Sequence, residues 1–112
     1  MKIAIPTAQG VLCPHFGHCE KFALIEVNPA NLAIISKKEA VPPPHEPGVL
    51  PRWLAEQKVD VIIAGGMGQR AQSLFAENDI RVIVGAPTLP AETLIEKYLK
   101  GTLETGANAC DH

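Results

Sequence analysis

The sequence predicts an α/β domain in which a largely parallel sheet is covered by helices on both faces. In the second half of the chain, short apolar runs at residues 61–64 and 81–84 alternate with segments of helical periodicity, a pattern typical of parallel strands buried on both faces. In the first half, residues 21–27 and 32–40 flank a short turn and predict an antiparallel hairpin. With 112 residues, 46% of them hydrophobic, the chain is sized for one domain.

The remaining elements follow from the same patterns. Alternation over residues 2–6 predicts the first strand. After an exposed loop with three consecutive prolines, a short helix contains Pro51 in its first turn. A second helix runs from a glycine turn to Asn78, and a third covers residues 90–100 and ends at Gly101.

Composition excludes several classes of function. The net charge of −2 and the pI near 6.0, without a Lys/Arg cluster, give no basis for binding nucleic acid. No apolar stretch approaches the ~20 residues of a membrane span, and no signal peptide is recognisable. We therefore expect a cytoplasmic protein that contacts neither nucleic acid nor membrane, with a single domain over residues 1–103 and a flexible tail over residues 104–112.

A glycine turn follows the apolar run at residues 61–64. Gly65, Gly66, Met67 and Gly68 lie between a predicted strand and a predicted helix, so backbone N–H groups and the positive end of the helix dipole meet there. The arrangement predicts an anion site, and we expect Gly66 to have a positive φ. The alternative is that these glycines only reverse the chain.

Cysteine and histidine cluster in one loop of the first half. Cys13, His15, His18 and Cys19 fall within seven residues. Thiolate and imidazole together suit zinc, copper, iron or iron–sulfur clusters. Any one of them can instead have a structural role, but four such residues in one loop favour a metal site. Further candidate ligands lie elsewhere in the chain: His45, Cys110 and His112.

The loop and the turn are expected to converge. In parallel sheets, ligands bind outside the carboxyl ends of the strands, and both segments follow such ends. Catalysis finds less support, because the acidic residues form no obvious pair and no redox Cys-x-x-Cys is present. We expect a binding protein without catalytic residues.

Several stretches resemble one known family. The chain is similar to the dinitrogenase iron–molybdenum cofactor biosynthesis proteins, a group of nitrogenase accessory factors with small stand-alone members. The resemblance extends from Met1 to about Leu103. Its residues are Lys2-Ile3-Ala4-Ile5-Pro6, the loop His15-Phe16-Gly17-His18-Cys19, the turn Ile63-Ala64-Gly65-Gly66-Met67-Gly68, and Tyr98-Leu99-Lys100-Gly101-Thr102-Leu103.

The resemblance implies both a fold and a function. The fold is a ribonuclease-H-like three-layer α/β/α sandwich whose five-stranded mixed sheet has the order 3-2-1-4-5, with the second strand antiparallel. The function is to bind and carry an iron–sulfur or molybdenum-containing cluster, exchanged with donor or acceptor proteins. The ligand site would join residues 13–19, including Phe16 and Gly17, to residues 65–68. The alternative is a small-anion-binding or regulatory module that binds zinc or no metal.

Overall fold

The computed structural model describes residues 1–13, 19–28, 30–43 and 48–106. Within these residues, no helix is long and apolar enough to cross a membrane. The elements in chain order are β1 (Lys2–Ala8), β2 (Val11–Leu12), β3 (Lys21–Asn28), β4 (Ala33–Ala40), α1 (Val49–Glu56), β5 (Val61–Ile63), α2 (Gln69–Glu77), β6 (Arg81–Ile83) and α3 (Ala91–Leu99).

One mixed sheet contains all the strands. Its order is β4-β3-β1-β5-β6, with the short β2 paired to β1 outside this path. The β3 strand is antiparallel to both β1 and β4, whereas β1, β5 and β6 are parallel. Counted over the five longer strands, this is the order 3-2-1-4-5 with an antiparallel second strand, so the predicted topology is confirmed.

The helices form an outer layer on each side of the sheet. On the α3 face, Leu94 and Ile95 pack against alternate residues of the strands, among them Ile3 and Ile63. The opposite α1–α2 face packs other strand residues, including Ile62, against the two remaining helices. Alternate strand residues thus enter two separate cores, which confirms the predicted three-layer α/β/α architecture.

The sixth strand, β2, was not predicted. Val11 and Leu12 pair with Ala8 and Thr7 of β1 in an antiparallel hairpin. The two residues of its loop both have positive φ, 55° for Gln9 and 83° for Gly10. Such a two-residue loop gives the twist that adjacent antiparallel strands need, but it is usually signalled by Asn-Gly or Asp-Gly rather than Gln-Gly. The loop that we expected to be irregular therefore begins with a short strand.

The strand over residues 61–63 is buried but is not the middle of the sheet. Val61, Ile62 and Ile63 are all buried, as expected of a strand covered on both faces. However, β5 lies between β1 and β6, and β1 occupies the central position. The sheet is therefore organised around residues 2–8 rather than around the run before the glycine turn.

Pro6 ends the pairing between β1 and β5. The two strands pair at Ile3–Val61 and Ala4–Ile62, and Pro6, two residues further along, has no N–H to donate. Its carbonyl oxygen instead accepts a hydrogen bond from the N–H of Cys13 at 2.9 Å. The chain following β2 therefore occupies the edge of β1 beyond the last pair with β5. We call the space between the carboxyl ends of these two strands the β1–β5 crevice.

Candidate functional site

The β1–β5 crevice lies at the switch point of the sheet. From β1 the chain passes through β2, which lies on the β5 side of β1, to β3 on the other side, while from β5 it continues through α2 to β6. In open α/β sheets, ligands bind outside the carboxyl ends of the strands, at the point where the strand order reverses. The predicted proximity of the first strand and the strand before the glycine turn is thereby confirmed.

Two of the candidate ligands lie at the border of this crevice. Cys13 is attached to the end of β1 through Pro6 and is only 6% exposed. Cys19 is half-buried and packs against the α1–α2 core, to which Met67 of the glycine turn also belongs. The N–H of Glu20 donates to the carbonyl of Thr7, also on β1, at 2.9 Å. Both ends of the loop are therefore held at the carboxyl end of β1.

The environment of Cys19 favours the protonated thiol. Burial, and to a smaller extent electrostatic repulsion from the nearby Cys13, raises the pKa of Cys19 to about 11. At neutral pH Cys19 is therefore a thiol, and a metal that binds its sulfur must displace the proton. A cationic metal centre at this sulfur would stabilise the Cys19 thiolate.

This pKa predicts a loss of stability in alkali. The unfolded chain releases the Cys19 proton near the ordinary value of 9.0, whereas the folded chain keeps it until about pH 11. The folded state then binds more protons than the unfolded state, so the free energy of unfolding falls as the pH rises through that window. Urea unfolding of the reduced apo protein, below pH 9 and close to pH 11, should show a smaller fall for Cys19→Ala than for the wild type. Equal falls would contradict the raised pKa.

The glycine turn opens α2 as predicted. Gly68 is the N-cap residue, and its carbonyl accepts the first helical hydrogen bond, from the N–H of Gln72 at 3.1 Å. The side-chain amide of Gln72 also donates to the carbonyl of Met67 at 2.9 Å, which ties the turn to the helix. The N–H groups of residues 69–71 precede the first helical bond and have no partner within the helix. They form the donor end of the helix dipole.

The backbone of this turn differs from one expectation. Positive φ values occur at Gly10, Gly48, Gly85 and Gly101, and not at Gly66. Gly66 is nevertheless buried. The prediction of a strained glycine at position 66 was wrong, because the chain enters α2 through an extended segment rather than a left-handed turn.

The four residues of the turn differ in what they expose. The Met67 side chain is fully buried among Phe75 and other residues of the α1–α2 core, so packing accounts for it. Gly65 and Gly66 are also buried, whereas Gly68 is exposed with open space where a Cβ would project. A ligand would therefore meet the turn at the exposed Gly68 end, next to the first N–H groups of α2.

Arg70 is a residue that the sequence reasoning missed. It is exposed in the first turn of α2, and that turn contains no acidic residue. The helix dipole disfavours a cation at this end and favours carboxylates. A positive side chain beside N–H groups that have no partner within the helix would instead favour the binding of an anionic ligand. The helical pattern that begins at residue 69 was the feature of the sequence that could have placed Arg70 in the first turn of a helix.

Several predicted ligands lie outside the described residues. These are His15, Phe16, Gly17, His18, His45, Cys110 and His112. Among the described residues, no group of three or more His, Cys, Asp or Glu side chains is arranged to hold a metal ion. Among the described residues, the candidate ligands of the loop are thus Cys13 and Cys19, and a full coordination shell would need further donors.

Comparisons with known proteins identify the family of this chain. A family model described as dinitrogenase iron-molybdenum cofactor matches residues 1–101. The chain belongs to this family. The uncharacterized protein MJ0580 of Methanocaldococcus jannaschii is 33% identical to it over 110 residues, which cover 93% of this chain and 90% of the relative. The resemblance stated from the sequence is confirmed, and this dinitrogenase cofactor family member shares a role related to the iron–molybdenum cofactor.

Solved structures show the same fold. The crystal structure of PH0822 superposes with a TM-score of 0.86 at 22% identity, covering 97% of this chain and 99% of the other. The apo form of the orange protein from Desulfovibrio gigas superposes with a TM-score of 0.72 at 20% identity, covering 96% and 93% of the two chains. At this level of identity the likeness concerns the fold of the family member, not its ligand.

Proposed function

We propose that this protein binds and carries a metal–sulfur cluster, either iron–sulfur or molybdenum-containing, as cargo during cofactor assembly or delivery. What supports the proposal is that Cys13 and Cys19 are held beside the carboxyl end of β1, while α2 begins after the carboxyl end of the neighbouring strand β5. Membership of the cofactor family supports it. The role is that of a binding protein, and we propose no catalytic step.

The two halves of the site have complementary chemistry. Thiolates are soft ligands that suit iron, copper and the metals of sulfide clusters. The N–H groups at the start of α2 and the charge of Arg70 suit the sulfide side of such a cluster, which carries negative charge. A bare zinc ion would use the thiolates alone, and a small oxyanion would use the helix end alone. A metal–sulfur cluster would use both.

Protein purified without oxygen tests the proposal directly. We expect metal and acid-labile sulfide together, with absorbance in the visible range. Apo protein given iron(II) together with tetrathiomolybdate, a soluble molybdenum–sulfide anion, should take up both: Cys13 and Cys19 lose their protons and bind the iron, which the sulfides of the anion bridge to molybdenum. Zinc without sulfide would contradict the proposal in favour of a simple metal site. Uptake that is unchanged when the cysteines are replaced would favour the alternative of a small-anion module.

A substitution series at Gly68 separates binding from stability. The φ of −65° and ψ of 156° at this residue are ordinary for an N-cap, and a Cβ there meets open space. Gly68→Asp should raise the free energy of unfolding by a few tenths of a kcal/mol, because the carboxylate caps the free N–H groups of α2. It should lower affinity for tetrathiomolybdate at least tenfold, because the same carboxylate covers those groups and repels the anion.

Two further variants serve as controls for this series. Gly68→Ala adds neither cap nor charge and should retain affinity, while Gly68→Ser adds a cap without charge and should fall between the two. Isothermal titration and urea unfolding measure both quantities on the same samples. Undiminished affinity in Gly68→Asp would show that the helix end takes no part in binding.

A further inference from the structure

The strand β4 forms an open edge of the sheet. Among the described residues it pairs with β3 and with no other strand. Every residue of β4 is exposed except the last, Ala40, which is half-buried, so the helices leave this strand largely uncovered. The backbone N–H and C=O groups on the outer side of an edge strand are available for pairing with another strand.

The exposed large apolar side chains of the described residues are gathered at the two ends of β4. Leu32, Ile34 and Ile35 lie at or beside its first residues, and Val41 directly follows its last residue. Ile35 is 61% exposed and Val41 is 71% exposed. Apolar residues that cluster on a surface are typical of an interaction site. We call residues 32–41 the β4 edge.

Two features of the β4 edge, a β-bulge and lysine residues, usually discourage pairing between edge strands. The bulge is confined to Ile35, because residues 36–40 pair with β3 in regular register. The lysines are Lys37 and Lys38, and Glu39 lies on the same face as Lys37, two residues further along. The regular part of the β4 edge therefore has charges of both signs on one face.

Lys37 and Glu39 are exposed although each has an ion-pair partner within the chain. Lys37 pairs with Glu92 of α3, and Glu39 pairs with Lys21 of β3 at 3.3 Å. The side chain of Lys37 is still 38% exposed and that of Glu39 is 54% exposed. Exposed pairs of this kind contribute little to stability, and both side chains keep room for a further partner.

We propose that the β4 edge is a dimer interface, at which two copies of this chain pair their β4 strands antiparallel about a two-fold axis through Lys38. Residues at equal distances before and after Lys38 then lie opposite each other. Lys37 of each copy faces Glu39 of the other, and Ile35 lies against Val41. Opposite charges and apolar residues that face each other across two strands form stabilising pairs. The observation that carries the proposal is this complementarity of the β4 edge with itself.

Other registers of the same pairing lack this complementarity. Opposite residues of an antiparallel pair share a face, so the axis must pass through a residue rather than between two. An axis through Lys37 places Glu39 against Ile35. An axis through Glu39 places Lys37 against Val41. The axis through Lys38 brings two lysines together, but these long side chains are exposed on the α1–α2 side and can diverge.

A groove beside the start of β4 provides a place for the apolar end of the second strand. It has a volume of about 250 Å³, and its lining includes Ile34 of β4 together with Ile95 and Leu99 of α3. In the proposed register, Val41 of the other copy lies next to Ile35, beside this groove. Burial of Val41 there would remove apolar surface of both copies from water.

The dimer leaves the β1–β5 crevice of each copy accessible. β3 lies between β4 and β1, so the crevice is two strand spacings, about 10 Å, from the interface. Because the strands pair antiparallel, the crevices of the two copies lie at opposite ends of the joined sheet. Dimer formation is therefore independent of the cargo, and apo protein is sufficient to test it.

Sedimentation equilibrium of the apo protein tests the dimer and its register. The wild type should be a monomer at about 1 μM and mostly a dimer at about 1 mM, as expected of a small and weak interface. Lys37→Glu and Glu39→Lys each place like charges against each other twice, so each variant alone should dimerise about tenfold more weakly. An equimolar mixture of the two variants should restore the wild-type affinity, because the changed residue of each then faces the changed residue of the other.

Arg81→Glu is the matched control for the Lys37→Glu variant. It makes the same change in net charge at an exposed residue of β6, on the opposite edge of the sheet, and should leave the dimer unchanged. Lys38→Thr removes the repulsion at the axis and should strengthen the dimer about threefold. Ile35→Asp should weaken the dimer about tenfold without changing the urea unfolding of dilute, monomeric protein.

Three results would each overturn the proposal. The first is a wild type that stays monomeric at about 1 mM, which would leave the β4 edge to a different protein or to solvent. The second is a dimer that Lys37→Glu and Glu39→Lys leave as strong as Arg81→Glu does. The third is a mixture of the two charge variants that dimerises no better than either alone. Circular dichroism of each variant shows whether a weaker dimer comes from unfolding instead.

Discussion

Ile62→Asp should unfold most of the protein. Ile62 is fully buried in β5, with β1 hydrogen-bonded on one side and β6 on the other, and it belongs to the α1–α2 core. A carboxylate there loses its hydration and finds only apolar neighbours, which costs several kcal/mol. Loss of the isoleucine packing adds to this cost. Small domains have about 5–15 kcal/mol in total, so little native population should remain at 37 °C.

Two control variants show whether the loss of stability comes from burying a carboxylate at position 62. Ile62→Val should cost only about 1 kcal/mol, because it removes one methyl group from the same place. Ile35→Asp makes the identical chemical change at a residue that is 61% exposed on the edge strand β4, where we expect almost no effect. Urea unfolding followed by circular dichroism measures all three. An Ile62→Asp variant with the wild-type midpoint would place residues 61–63 outside the buried sheet.

The strands of the sheet could be predicted because their signals are local. The run at residues 61–64 is apolar without alternation, which indicates burial on both faces, whereas residues 21–27 and 32–40 lie on either side of a short turn. These patterns are produced by the same burial that stabilises the strands. The order 3-2-1-4-5 of the five longer strands came from the resemblance, and the structure confirms it.

Features that depend on contacts distant in sequence were missed. The two residues of β2 gain a strand conformation only because they pair with the end of β1. Pro6 was included in the first strand from its neighbours, but its effect, the end of the β1–β5 pairing, depends on which strand lies beside it. The periodicity of a sequence indicates which residues of a strand are buried, but not which strands lie beside it. The run at residues 61–64 therefore could not show that β1 is the central strand.

The candidate site also has features that the sequence signalled and features that it did not. Its cysteines and its glycine turn were found by residue type, since few other roles bring thiols and glycines together at strand ends. Arg70 has no such signature, because an exposed arginine is ordinary on any helix. It becomes a candidate only through its place in the first turn of α2.

Replacing Cys13 and Cys19 together with alanine should abolish uptake of tetrathiomolybdate with iron(II), and each single change should weaken it at least tenfold. Under the proposed function these two cysteines are the soft ligands of the cargo, and the described residues contain no other cysteine. The effects on stability should differ, because Cys13 is 6% exposed while Cys19 is half-buried. We expect Cys13→Ala to lower the free energy of unfolding by about 1 kcal/mol and Cys19→Ala by less.

Measuring stability beside uptake decides between a ligand and a packing role. If the cysteines are ligands, uptake should fall as strongly in Cys19→Ala, whose apo protein stays stable, as in Cys13→Ala. If they serve only in packing, uptake should fall only in proportion to the fraction of unfolded protein. The same comparison extends to His15→Ala and His18→Ala, which should lower loading while the apo protein melts at nearly the wild-type temperature. If the double cysteine variant folds and takes up the anion like the wild type, the thiols are structural. Binding would then depend on the start of α2 alone, where the N–H groups of residues 69–71 and the side chain of Arg70 remain.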